Sequence, residues 1–173
     1  MAATYDYLGT VTAAGNSVAL TLSNIPQTYT DIEIIFQVTA SSNSSAARGE
    51  MTFNGVTSAV YDWSRLGNRN TSSGAENLYG ATYIEAEKGV GPTSGSNSLS
   101  CGFTRTLIPG YATAKNHTVR QWVWGMSSGN SCFIGNTFAY QRNSAAITSV
   151  TMTTSNGNIT SGCTGIAYGI NYS

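Results

Sequence analysis

The chain has 173 residues, with 8 Lys plus Arg against 8 Asp plus Glu, and only 9% of its residues are charged, far below the ~25% of an average soluble domain. Zero net charge without a Lys/Arg run excludes the electrostatic footprint of a nucleic-acid or anionic-membrane binder. No apolar run approaches the ~20 residues of a bilayer span, and the start of the chain, from Met1 to Thr12, lacks the basic and apolar regions of a secretory signal.

Ser, Thr, Asn and Gly fill nearly half of the positions, a composition that suits turns and strands. In chain order, period-2 alternation predicts strands near residues 4–12, 16–22, 31–40, 49–54, 58–66, 77–87, 98–108, 117–126, 131–140, 146–154 and 163–170. Val18, Leu20 and Leu22 alternate with Ser17, Ala19 and Thr21. Ile32, Ile34, Phe36 and Val38 share one face, with Ile35 the exception on the other. Trp122, Trp124 and Met126 share a face, as do Val150 and Met152. The last strand sets Ile166, Tyr168 and Ile170 against Gly165, Ala167 and Gly169.

Turn chemistry separates these runs. Asn54-Gly55 and Asn156-Gly157 are the dipeptides of type I′ hairpins, in which both central residues take positive φ. Gly15-Asn16 closes an earlier hairpin on this reading, and Pro26 and Pro109 end apolar runs. Residues 41–47 and 89–98 are low-complexity loops. A length within the ~100–200 residues of one domain and many short strands predict a single all-β domain over residues 1–173. Its expected form is an antiparallel two-sheet sandwich of jelly-roll type.

Catalytic and metal patterns are weak. Residues 125–129 (GMSSG) match G-x-S-x-G, but the nucleophile elbow needs a helix after Ser127. Here strand-like Cys132-Phe133-Ile134 follows, and the one histidine, His117, precedes the serine. Gly89, Gly91 and Gly95 miss the spacing of a phosphate loop. Glu85 and Glu87 lie ~7 Å apart on one strand face, a spacing open to an inverting glycosidase but common on a solvated face. No metal-ligand cluster and no cofactor motif is visible. Cys101, Cys132 and Cys163, odd in number and widely spaced, read as buried free thiols; one disulfide with a spare thiol is the alternative. Five Asn-x-Ser/Thr sequons, at Asn43, Asn70, Asn116, Asn158 and Asn171, are chance matches in so Asn/Ser/Thr-rich a chain.

Aromatic residues carry the candidate recognition chemistry. Trp122 and Trp124 share a strand face, and Trp63 lies close to Tyr61. Such side chains either fill a core or subunit interface, or form a stacking platform for sugar rings.

Several blocks resemble tailed-bacteriophage virion proteins: residues 22–30 (LSNIPQTYT) ahead of the Ile-rich strand, Phe53-Asn54-Gly55, residues 61–66 (YDWSRL), residues 108–112 (IPGYA), and residues 146–158 followed by 162–170. They span nearly the whole chain. The resemblance implies a β-sandwich module on the particle exterior, of tail-fibre, head-fibre or capsid-decoration type. It implies a homotrimer whose partners are other virion proteins, made in the host cytoplasm, where cysteines stay reduced. It carries over no catalytic residue, so a non-enzymatic structural role is expected, with host surface glycan recognition as the alternative. Met1 leads almost directly into strand sequence, and no heptads or collagen-like repeat form a stalk, which favours a decoration or adaptor role.

Overall fold

The computed structural model describes residues 3–41, 47–69, 72–88, 102–127 and 131–172. Residues 69, 72, 87, 88, 126, 127, 131 and 132 are described by their backbone alone. The described residues form twelve strands and no helix: β1 (Ala3–Thr12), β2 (Ala19–Leu22), β3 (Asp31–Val38), β4 (Arg48–Phe53), β5 (Tyr61–Arg69), β6 (Ser72–Ala81), β7 (Ile84–Lys88), β8 (Gly102–Pro109), β9 (His117–Ser127), β10 (Ser131–Gln141), β11 (Val150–Thr154) and β12 (Thr164–Tyr172).

All pairings are antiparallel, in two sheets ordered β1-β12-β3-β8-β9-β10-β5-β6 and β2-β11-β4-β7. The fold is the expected jelly roll. Its frame is β1-β12-β3-β8 facing β2-β11-β4-β7, and from β1 to β4, from β7 to β8 and from β11 to β12 the chain changes sheet at every step. The remaining strands are two hairpins: β5–β6 enters between β4 and β7, β9–β10 between β8 and β11. Both widen the first sheet on its β8 side.

The core lies between the sheets. Ile32, Ile34, Phe36 and Val38 of β3, Leu20 and Leu22 of β2, Met51 and Phe53 of β4, and Val150 and Met152 of β11 are all buried, as alternation with one wet face requires. Val18 is 75% exposed, because β2 starts at Ala19, three residues later than the expected strand at 16–22. The expected strand at 77–87 is two strands, β6 and β7, broken at Thr82-Tyr83 and placed in different sheets.

The expected hairpins at Gly15-Asn16, Asn54-Gly55 and Asn156-Gly157 are corrected. Asn54 and Gly55 do take positive φ (54° and 67°), and the Val56 amide closes the turn on the Phe53 carbonyl at 2.9 Å. Yet each of the three turns leads from a strand of one sheet to a strand of the other. A turn dipeptide sets the local reversal of the chain, while burial of apolar faces decides which sheet receives the next strand.

Segments far apart in the chain gather into one network. Asn54 Nδ2 donates to the Ala146 carbonyl (2.8 Å), and Asn54 Oδ1 accepts the Thr148 and Ser149 amides (2.8 and 3.1 Å). Gln27 Nε2 donates to the Ile25 and Ile147 carbonyls, both at 2.9 Å. The Tyr111 hydroxyl donates to the Pro26 carbonyl. Tyr61 donates to the Val56 carbonyl (3.0 Å) and accepts the Phe53 amide (2.9 Å).

Candidate functional site on the outer sheet face

Pairing registers place the outward residues of the eight-stranded sheet in rows. One row runs Ile166, Ile35, Arg105, Trp122, Asn136, Leu66 across β12, β3, β8, β9, β10 and β5. The next runs Tyr7, Tyr168, Glu33, Leu107, Arg120, Phe138, Ser64, and a third includes Phe103, Trp124 and Ile134. Outward apolar groups are the reverse of the usual one-sided pattern. β12 shows why: its inner face is Gly165, Ala167 and Gly169, because Phe36 and Tyr29 fill the space that larger side chains there would need.

The arginines of this face rest on rings. The Arg105 guanidinium lies 5.3 Å from the Trp122 ring centre, and that of Arg120 lies 4.6 Å from Trp122 and 5.7 Å from Phe138. Such contacts are worth ~0.5–1 kcal/mol at exposed sites and more once desolvated. Arg105 Nη2 also donates to Glu33 at 2.6 Å. The hydrogen bond to Glu33 holds the Arg105 guanidinium above its ordinary pKa, so its charge is permanent. Phe103 packs on Trp124 with ring centres 4.5 Å apart, and Tyr7 meets Tyr168 edge-on at 6.1 Å. Asp31 accepts the Tyr172 hydroxyl (2.8 Å) and the Gly110 amide (2.9 Å).

Much apolar surface remains uncovered. Tyr7 is 63% exposed, Ile134 62%, Phe138 51% and Trp124 42%. The outward face of the four-stranded sheet is different: Thr21, Thr52, Thr151 and Thr153 lie there, with Thr21 and Thr151 hydroxyls 3.0 Å apart. At one side of the aromatic face a shallow depression of about 250 Å³ is lined by Asp62, Ser64, Tyr79, Phe138 and Tyr140, with Trp63 and Ala139 beneath. Asp62 accepts the Gly80 amide (2.8 Å) and pairs with Arg142 (3.2 Å).

The four aromatics singled out in the sequence divide into two groups. Tyr61 is fully buried, with burial raising its hydroxyl pKa, and Trp63 is 6% exposed beneath the Arg65 guanidinium. Trp122 and Trp124 belong to the outer face. Arg105, Arg120, Phe138 and Ile134 escaped sequence reading, although the Phe103-Thr-Arg-Thr-Leu107 alternation held the signal. Thr104 and Thr106 face inward there, so the apolar residues had to face out.

The weak catalytic patterns come apart. Ser127 ends β9, which pairs directly with the next strand, β10. His117 lies at the opposite end of β9, ~33 Å away at strand rise, and its Nε2 is 3.0 Å from the Ala145 carbonyl. Glu85 is not on a solvated face, as expected, but fully buried and ion-paired with Arg65 and, at 2.9 Å, with Arg48. Two cations draw it inward. The Glu87 side chain, the loop with Gly89, Gly91 and Gly95, Cys101, the Cys132 side chain, Asn43 and Asn70 lie outside the described residues, as does most of the expected loop at 41–47. Cys163 is a buried free thiol whose sulfur accepts the Thr39 amide at 3.1 Å. Among the described residues no group of three His, Cys, Asp or Glu side chains is placed to hold a metal ion.

The chain matches no protein-family model, and no curated protein is significantly similar to it in sequence.

Proposed function

We propose that this chain is a non-enzymatic structural subunit on the exterior of a tailed-bacteriophage particle, a capsid-decoration, head-fibre or tail/fibre component that works as a homotrimer and is made in the host cytoplasm. The fold alone assigns no role, because jelly rolls serve many. The carrying observation is the contrast between the two outer faces, one of threonine, the other of tryptophan, tyrosine, isoleucine and ring-stacked arginine. An apolar face of this extent marks a contact surface. The convergence of the phage-like blocks into one hydrogen-bonded network supports the same reading, since residues that build a frame together are expected to occur together.

The test is mass spectrometry and antibody labelling of particles purified after infection. Recovery of the chain at a fixed copy number per particle is expected; absence from washed particles would reject the assignment.

A second reading, recognition of host surface glycan, draws on the depression beside Asp62. There Tyr79 is 81% exposed and Tyr140 38%, with Asp62 and Ser64 as polar neighbours, the mixture a sugar ring uses. Tyr79→Ala is expected to abolish binding on a glycan array if this reading holds; an array blank for the parent chain would end it.

A further inference from the structure

We infer that the aromatic outer face of the eight-stranded sheet is buried against further copies of this same chain; the inference rests on the structural-subunit reading and names its partner and surface.

Size is the first argument. Eight strands spaced ~4.8 Å apart and about four outward positions per strand cover ~34 Å by ~20 Å, or ~700 Å². Each partner in a stable complex buries about 800 Å². The face therefore has the extent of one side of a complete interface.

Composition is the second. Tryptophan, tyrosine and arginine dominate the energetic centres of interfaces, and lysine is depleted there. Both the Arg105 and the Arg120 guanidiniums lie over the Trp122 ring on this face. Neither lysine of the chain is on it: Lys88 is in β7 of the other sheet, and Lys115 is in the turn between β8 and β9. The arginine stems and planes are already held by aromatic rings, so little side-chain freedom remains to be lost on association.

Charge is the third, and it selects a second copy over a charged partner. Asp31, Glu33 and Asp62 are matched on this face and its rim by Arg105, Arg120 and Arg142. The whole chain is neutral as well. Identical faces therefore meet without net repulsion.

The experiment is sedimentation equilibrium of the purified full chain over a wide dilution series, with the variant carrying both Trp124→Glu and Ile134→Lys. These two residues are cross-strand neighbours of the outer face. The parent chain is expected at three times 18.1 kDa, and the variant at a single copy with an unchanged circular dichroism spectrum. A parent chain that stays monomeric throughout overturns the inference, and so does a folded variant that keeps the parent mass. Should the variant not fold, hydroxyl-radical footprinting of the parent decides: protection of Trp124, Ile134 and Phe138 at high concentration, lost on dilution, is expected, and equal labelling at both concentrations overturns it. A monomer that is nevertheless found in particles, or one whose face a glycan protects, rejects self-association while leaving the particle assignment to its own test.

Discussion

The ring of Tyr29 occupies the space that a side chain at Gly169 would need: a Cβ built there overlaps the ring carbons nearest the Tyr29 backbone. The contact ties the segment before β3 to β12. Gly169→Ala is expected to cost ~1–3 kcal/mol through overpacking, a fall of ~2–4 °C per kcal/mol in the thermal midpoint. In a Tyr29→Ala background the same substitution should cost little. Equal losses in both backgrounds, measured by thermal unfolding, would show that the ring is not what excludes the side chain.

Asn54 combines a backbone at positive φ with four side-chain bonds to residues 146, 148 and 149. Each such bond contributes ~0.5–1.5 kcal/mol net, and a left-handed backbone costs an ordinary residue ~1–2 kcal/mol. Asn54→Ala is therefore expected to be more destabilising than Asn54→Gly, which keeps the backbone and loses only the bonds. Denaturant unfolding of the two variants checks the order; a more stable alanine variant contradicts it.

The widened part of the first sheet is fastened to the second by a buried ion pair. Arg65 in β5 is 3% exposed and meets Glu85 in β7, which is fully buried, and Glu76 in β6. Arg65→Met leaves buried negative charge and should cost about 3–5 kcal/mol. Arg65→Met combined with Glu85→Leu should cost less than Arg65→Met alone, because no buried charge is then stranded: Arg48, which loses Glu85, is 40% exposed. Urea midpoints of the single and double variants give the comparison, and a double variant that loses more than the single one would refute it.

Glu50 provides a pH signature. Burial is the main reason its pKa lies above the ordinary value; Arg48 opposes the shift, and the cross-strand Glu85 adds to it. Tyr83 also lies close by, its own pKa raised by burial and by the charge of Glu50. A raised folded-state pKa gives stability that is full below the unfolded value, ~4.3 for Glu, and that fades as pH rises through the raised value. Ionised Glu50 thus weakens the fold at neutral pH. Glu50→Gln is expected to unfold at a higher temperature than the parent near pH 7, with the gap closing in acid. A gap independent of pH would remove Glu50 as the cause.

How much of this was legible in the sequence differs from strand to strand. The inner faces of β3 and β11 followed from alternation, because their apolar residues recur at every second position. The jelly-roll class followed from the number of strands. Sheet membership was not readable, since Asn54-Gly55 specifies a reversal and says nothing about which distant strand the chain then joins. The aromatic face stayed hidden for a related reason. In β8 and β12 the inward positions are, apart from Ile108, threonine, alanine and glycine, whose suitability depends on Met51, Phe36 and Tyr29 arriving from elsewhere. Glu85 was taken for a surface acid because its two arginines lie 20 and 37 residues away.

The distribution of lysines has a practical consequence. Lys115 sits exposed in the turn between β8 and β9, Lys88 is in the four-stranded sheet, and the aromatic face has no primary amine. Apart from the α-amino group, amine-directed dyes, linkers or peptides attach away from the tryptophans. The chain therefore offers itself for chemical display: cargo coupled at Lys115 leaves the aromatic sheet surface chemically untouched.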